Sequence, residues 1–320
     1  MSRQILGIHH ITAIAGDPQT NLDFYAGVLG LRLIKLTVNF DDPGTYHLYY
    51  GDGVGHPGTI LTFFPWPQAP KGRRGTGEVT ETAFAIAEDA IPFWIARLAE
   101  HHVDFKGPFD RFGEQVISFS DPDGMAIELI AIPTTRSDRA YQAGPVPVEF
   151  AVRGFHSATL TQADHRETAA LLTDTMGFKL VAQDGDRFRY AVESGEQAAL
   201  VDVLRAPDDR RGRVLVGTVH HIAFRTADDE QQRNWRSELT RLNYGVSPVM
   251  DRKYFHSIYY REPGGILFEI ATDPPGFTVD EAPEELGSKL VLPPWLELER
   301  TNLEAALPPL RLTERQETRV

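Results

Sequence analysis

A strand, then a helix, then further strands: this order occurs four times along the 320-residue chain, and no other feature of the sequence restricts the fold as strongly. The first copy opens on the alternating segment GIHHITAI (Gly7–Ile14), followed by a polar cap, GDPQT, and a helical stretch, NLDFYAGVLGL, closed by Gly30. LRLIKLTVNF, TYHLYYGD and TILTFFP complete it as strands. The second copy reads TETAFAIAE, AIPFWIARLAEHH, QVISFSDPDG and MAIELIAIP. The third reads RGFHSATLTQ, RETAALLTDTMGF, KLVAQDGDRFRYAVE and AALVDVL. The fourth reads TVHHIAFRT, DEQQRNWRSELTRLNYG, FHSIYYREPGG and ILFEIATD. Linkers rich in Gly, Pro and charge separate the copies: WPQAPKGRRGTG, PTTRSDRAYQAGPVPVE and RAPDDRRGR.

The chain thus divides into βαβββ modules at residues 5–66, 77–133, 152–205 and 217–273, with a C-terminal tail at 274–320 whose prolines suit it to wrapping the surface. One module alone leaves an open, half-apolar sheet, and pairing two modules covers its edges and faces. The expected fold class is α+β: four βαβββ modules forming two open eight-stranded barrel-like sheets with helices outside.

Cysteine is absent, so disulfides, thiolate nucleophiles and Cys-bound metals are excluded, and any metal must be held by His, Asp or Glu. A formal charge of −13 argues against nucleic acid or an anionic membrane as partner. The chain opens without a charged-then-apolar leader and has no run near 18 apolar residues, so a cytoplasmic protein is expected.

Two adjacent histidines are awkward to bury, yet IHHITA and VHHIAF place them at equivalent points of the first and fourth modules. With the opening strands in register, His10 aligns with Glu81, Ser157 and His221, and His9 with Thr80, His156 and His220. Final strands registered on Gly58, Gly124 and Gly265 bring Thr62, Glu128 and Glu269 into step, while the third copy offers only Ala199 or a neighbour. Strand alternation puts His10 with Thr12, His221 with Ala223, and Glu269 with Leu267 and Ala271 on faces that share a trough. By the same parity, His9 and His220 face away.

The pairing of modules decides what that trough holds. The third with the fourth collects Ser157, Ala199, His221 and Glu269; the first with the second collects His10, Thr62, Glu81 and Glu128. The first with the fourth collects His10, Thr62, His221 and Glu269, which contains two imidazoles and a carboxylate, the facial triad of non-haem Fe(II) oxygenases. A lone buried histidine is more often a hydrogen-bonded core residue, and His101–His102 at a helix end fit that plain role. The strand pairs differ because they recur at equivalent positions, and because Glu269 lies between Phe268 and Ile270, where an unpaired charge is costly. Glu81 and Glu128 read as a decayed second site or as solvent-facing strand residues.

GIHHIT, NLDFYAGVLGLRL and DRKYFHSIYYREPGGILFEIATDPPGF resemble the vicinal oxygen chelate superfamily and, within it, the hydroquinone ring-cleaving dioxygenases, over residues 5 to 310. The resemblance implies Fe(II) held by His10, His221 and Glu269, with Mn(II) or Zn as substitutes, O2 as co-substrate and a small aromatic diol as substrate. It implies a role in aromatic degradation or quinone detoxification and permits a homo-oligomer. Pocket and outer positions carried over one by one fall on His9, Thr12, His220, Arg252 and Tyr259. From the residues themselves, Tyr259 shares a face with Ser257 and Phe255, and His256, on the opposite parity, is a weaker acid/base candidate. Tyr46, Tyr49, Phe63, Phe64, Tyr254 and Phe255 are available to line an apolar cavity or to pack the core.

Three other readings compete. An extradiol catechol dioxygenase built on the third module needs a ligand at Ser157 or His156. A glyoxalase-type isomerase usually takes four protein ligands, which Thr62 in the fourth slot disfavours. A metal-free module binding an aromatic ligand makes the His/His/Glu set a coincidence.

Overall fold

The computed structural model describes residues 3–133, 140–193 and 198–312. The last eight positions of the expected tail, 313–320, lie outside the described residues, as do parts of the expected second linker and third module.

The first module contains β1 (Ile8–Ala15), a helix α1 (Pro18–Leu22), β2 (Arg32–Asn39), β3 (Asp42–Gly51) and β4 (Ile60–Pro65). The second contains β5 (Glu78–Ala87), α2 (Ile91–Glu100), β6 (Phe105–Arg111), β7 (Glu114–Ser120) and β8 (Ala126–Ile132). The third has β9 (Phe155–Gln162), α3 (Arg166–Ala170), β10 (Lys179–Asp184), β11 (Arg187–Ala191) and β12 (Leu200–Arg205). The fourth has β13 (Thr218–Thr226), α4 (Asp229–Arg241), β14 (Met250–Asp251), β15 (Phe255–Arg261) and β16 (Leu267–Pro275), and α5 (Arg300–Ala306) lies in the tail.

Two eight-stranded sheets result, ordered β14-β15-β16-β13-β1-β4-β3-β2 and β10-β11-β12-β9-β5-β8-β7-β6. The first module therefore shares a sheet with the fourth, and the second with the third. At each centre two opening strands run antiparallel, β1 beside β13 and β5 beside β9. Each opening strand is flanked on its other side by the final strand of its own module, in parallel. Apolar residues on the outer faces, among them Ile11, Ile222, Phe224, Phe268 and Ile270, join Trp94 of α2 and Trp235 of α4 in the main core. Each such side chain, fully buried, contributes about 1.5–3 kcal/mol. Inside the first sheet a separate cluster, including Ile34, Tyr49, Ile60, Ala223, Phe255 and Ala271, forms the floor of a trough.

Four local features differ from the sequence expectation. The segment taken as a polar cap is the first helical turn: Asp17 accepts the Thr20 N–H at 2.7 Å and α1 starts at Pro18. The chain then widens into a π turn over Asp23–Val28, where Leu29 N–H reaches Phe24 O at 3.0 Å, so a 3.6-residue period describes the segment poorly. β6, which carries a Gly–Pro pair and is largely exposed, and the two-residue β14 have no apolar alternation to announce them.

In the third module Ala198, at φ +64°, takes the left-handed place held elsewhere by Gly58, Gly124 and Gly265. Four residues on lies Asp202, which pairs with Thr159 as Glu269 pairs with Ala223, so Asp202 replaces Ala199 as the equivalent position. The third module lacks the glycine that marks this turn elsewhere, which is why its sequence points to Ala199 instead.

The tail is fastened to the first sheet by charge. Lys35 on β2 is fully buried and its ammonium pairs with Asp280 at 2.6 Å and with Glu281, lying 4.9 Å from the Tyr254 ring centre. Among the described residues no helix is long and apolar enough to cross a membrane.

The linkers between modules cross one another, with Gly72 N–H on Val216 O at 2.8 Å and Arg73 N–H on Arg213 O at 3.0 Å. Beside this crossing Glu78 is 2% exposed, and neither carboxyl oxygen accepts a hydrogen bond. Burial pushes its pKa up to about 7, against the opposing pull of Arg73 and Arg211. A folded pKa raised above the unfolded value makes ionisation costly in the folded state, so stability falls as pH rises from about 4.5 to about 7. Glu78→Gln should therefore match the wild type in urea unfolding at pH 4 and exceed it by about 1–3 kcal/mol at pH 8. An equal difference at both pH values would show that Glu78 is not held protonated.

Candidate metal centre

The central pair of the first sheet is irregular at two points. Ile8 faces Phe224 and His10 faces Ala223, which leaves His9 as an extra residue; Thr12 faces His221 and Ala13 faces Val219, which leaves His220 as another. The second sheet repeats both irregularities, at Thr80 and His156. Such bulges turn a side chain away from simple alternation. His220 accordingly borders the cavity together with His221, against the parity expectation. His9 is buried behind His10, 5.1 Å from both the His10 and Phe255 rings.

Between the bulges, His10, His221 and Glu269 converge, with one ligating atom of each within 4.8 Å of the others. His10 Nε2 and His221 Nε2 are 3.3 Å apart and lie 3.3 and 3.0 Å from Glu269 Oε2. All three residues are buried. Ser257 donates its hydroxyl to Glu269 Oε1, whereas Oε2, also buried, lacks a hydrogen bond of good geometry. Two nitrogen lone pairs and an orphaned carboxylate oxygen facing one point fit a divalent cation of the Fe, Mn or Zn type.

Protonation supports the same fit. Burial pushes the His221 imidazole down, so it is neutral and able to ligate. Burial alone would raise the Glu269 carboxyl, but the His10 and His221 rings against it hold it well below the usual carboxylate range. Behind each ligand stands a second imidazole: His9 Nδ1 is 2.9 Å from His10 Nδ1, and His220 Nδ1 is 2.8 Å from His221 Nδ1. Burial, and then the neighbouring ligand histidine, lower His9 well below its normal value and His220 to about 3. A cation on Nε2 of His10 and of His221 would leave the proton of each ring on Nδ1, to be donated to His9 and His220, which would fix both ring orientations.

A cavity of about 310 Å³ opens above the triad. Tyr49, Phe64 and Phe255 wall it, while Tyr46 and Phe63 pack in the main core. Thr12, Arg252 and Tyr259 all line it. Arg252 Nε donates to the Tyr259 hydroxyl at 3.1 Å, and its guanidinium pairs with Asp41 at 3.0 Å. Burial and the Glu269 charge push the Tyr259 phenol up, so it keeps its proton. His256 does not belong here: its Nδ1 meets Asp229 Oδ1 at 2.6 Å, at the start of α4, and its place as an acid/base candidate is withdrawn. Sequence reasoning missed Asn39, Phe40, Asp41, His47 and Trp66 as lining residues. The parity of β3, which puts His47 on the face of Tyr49, was the available signal.

The equivalent position in the second sheet holds Glu81, Glu128, Ser157 and Asp202, and arginines occupy it. Arg111 grips Glu128 through two contacts of 2.5 and 2.8 Å. Arg187 joins Glu81 to Asp202, and Arg189 joins Asp202 to Glu114, which also meets His156 at 2.9 Å. These carboxylates already have cationic partners, so they are neither solvent-facing strand residues nor free ligands.

The profile of the Glyoxalase/Bleomycin resistance protein/Dioxygenase superfamily matches residues 7–129 and 154–270, and the chain belongs to that superfamily. Among curated proteins it is 48% identical over 314 residues to "Putative ring-cleaving dioxygenase MhqO" of Bacillus subtilis (strain 168), covering 98% of this chain and 99% of that one. It is 37% identical over 303 residues to the chlorohydroquinone/hydroquinone 1,2-dioxygenase of Sphingobium indicum, covering 93% of this chain and 94% of that one. A crystal structure of a "putative dioxygenase" from Bacillus subtilis superposes with a TM-score of 0.93 at 47% identity, over 98% of this chain and 100% of that one. Glyoxalase I from Zea mays shares the fold at a TM-score of 0.62 and 16% identity, over 85% of this chain and 93% of that one.

Glu269→Gln keeps the shape and the Ser257 partner but removes the charge. It should weaken retention of Fe(II), measured by metal analysis after anaerobic gel filtration, at least about tenfold with an unchanged circular dichroism spectrum. His256→Gln should retain as much metal as the wild type. Stoichiometric iron in the Glu269 variant would remove that residue from the ligand set.

Proposed function

We propose that the protein is an Fe(II)-dependent ring-cleaving dioxygenase that inserts both atoms of O2 into a hydroquinone-type aromatic diol. The observation that carries this reading is the His10–His221–Glu269 triad at the floor of a cavity walled by aromatic rings. The names of the relatives support it, since both concern ring cleavage or hydroquinone oxygenation. Fe(II) held by these three residues would supply the one-electron chemistry that lets an aromatic ring react with dioxygen.

The residues of the chain do the rest. Tyr49, Phe64 and Phe255 hold a planar ring and exclude water from it. The triad holds a single carboxylate, which would offset only part of a divalent cation's charge, and the remaining positive charge would favour an ionised diol oxygen. Thr12 and Tyr259 are hydroxyl donors placed where negative charge develops on oxygen, and Arg252 holds the Tyr259 phenol in place. The reaction balances without a further reductant, because ring cleavage takes up both oxygen atoms and returns none as water.

The competing arrangements find less support. His156 and Ser157 lie in the other sheet, with His156 on Glu114. The Thr62 hydroxyl is engaged by Thr12 and His47 and is not free as a fourth ligand.

The test is O2 uptake by anaerobically iron-loaded protein with a panel of hydroquinones and catechols. Stoichiometric uptake and a ring-opened product are expected with hydroquinones, at a rate at least about tenfold above that with catechols. Uptake with catechols alone would make the enzyme an extradiol dioxygenase, and uptake with neither would remove the oxygenase reading.

A further inference from the structure

His47 has no place in the reading above, yet it is built into the cavity wall. Its ring is held between Tyr49, with centres 3.9 Å apart, and Phe64, with centres 4.4 Å apart. Its Nε2 is 2.8 Å from Thr62 Oγ1, and Thr62 Oγ1 donates to Thr12 Oγ1 at 2.9 Å. Both threonine side chains are fully buried.

Proton bookkeeping gives this chain a direction. A hydroxyl has one proton, and that of Thr62 goes to Thr12. The contact between Thr62 and His47 must then use a proton on His47 Nε2, which makes the imidazole an Nε2–H tautomer with a bare Nδ1. Burial keeps the ring neutral by lowering its pKa well below the usual value, with His10 and His221 acting in the same sense. Thr12 receives a hydrogen bond from Thr62, so its own proton remains to be given to something in the cavity. Thr12 stands two residues from His10 on the same strand and the same face.

We propose that His47 is a positioning residue, acting through Thr62 to hold the Thr12 hydroxyl as a hydrogen-bond donor into the cavity above the metal triad. Unassisted, a threonine hydroxyl rotates and accepts as readily as it donates. The relay removes that freedom, so the donor is in place before charge develops on oxygen and no reorientation is needed during the reaction. The inference rests on the proposed function for what Thr12 donates to, but the relay itself is a property of the protein without metal or substrate.

Two measurements test it. In the metal-free protein, 15N–1H correlation spectra of the histidine side chains should show His47 as the Nε2–H tautomer, and Thr62→Val should abolish that preference. In iron-loaded protein, Thr62→Val and His47→Phe should each lower kcat for a hydroquinone by about tenfold or more while changing KM less than about twofold. Thr62→Ser should restore it, and the double variant should be no slower than either single one, since all act on one chain of hydrogen bonds. An Nδ1–H tautomer in the wild type, an unchanged kcat in Thr62→Val or additive losses in the double variant would overturn the relay. A wild type that consumes no oxygen would instead overturn the proposed function, and the tautomer would still decide for or against the relay.

Discussion

Everything in this molecule's chemistry depends on the antiparallel pairing of β1 with β13. These strands lie in the first and fourth modules, and their pairing puts His10 beside His221. The same pairing puts the final strands β4 and β16 outside them, so that Glu269 arrives in register from one side and Thr62 from the other. The two bulges then do what a regular ladder cannot. They insert one residue at His9 and one at His220, and each insertion turns a second imidazole behind or beside a ligand. A regular strand would have sent these rings to the core face, leaving each Nδ1 of the ligands without a partner.

The two sheets answer the same electrostatic problem in different ways. Both place carboxylates on inner faces where an uncompensated charge is costly. In the second sheet three guanidinium groups, from Arg111, Arg187 and Arg189, supply the counter-charge, and they fill the space while doing so. In the first sheet the corresponding partners of Glu269 are two imidazoles and a serine hydroxyl, with no guanidinium among the contacts in the described residues. The cavity of about 310 Å³ opens beside Glu269, in the sheet whose carboxylate has no guanidinium filling the space next to it. A half with an open His/His/Glu cluster and a half whose carboxylates are gripped by arginines are thus two outcomes of one repeated framework.

The repeat made much of this readable. Aligning four opening strands and three final strands singled out His10, His221 and Glu269, and the strand order brings those residues together. What escaped was whatever does not follow a period. Ala198 stands in a left-handed turn that glycine marks in the other modules, so Asp202 was overlooked. The bulge at His220 breaks alternation without altering composition, so that ring borders the cavity against its parity, whereas His9 stands behind His10 as parity puts it. His256 carried the chemistry of an acid/base group, but Asp229, 27 residues earlier, holds it at the mouth of a helix. His47 shares parity with Tyr49, yet only the packing of Tyr49 and Phe64 around it makes it part of the cavity wall.

The tail completes the half that the first and fourth modules begin. The first sheet needs cover where β2 and the start of β15 border the trough, and residues after β16 supply it. Phe277 stacks on Tyr254 with centres 4.8 Å apart, and Asp280 and Glu281 meet the buried Lys35. Asp280 also meets Lys253, the neighbour of Arg252, at 2.5 Å. One carboxylate therefore ties the edge strand β2 to the turn that carries a cavity residue, and Lys35 has no other countercharge among the pairs in the described residues. Breaking a buried pair leaves its partner stranded at a cost of about 3–5 kcal/mol, so the tail cannot lift without stranding Lys35. The wall that carries Arg252, and through it Tyr259, is thereby held by carboxylates of the tail, which lies outside all four repeats.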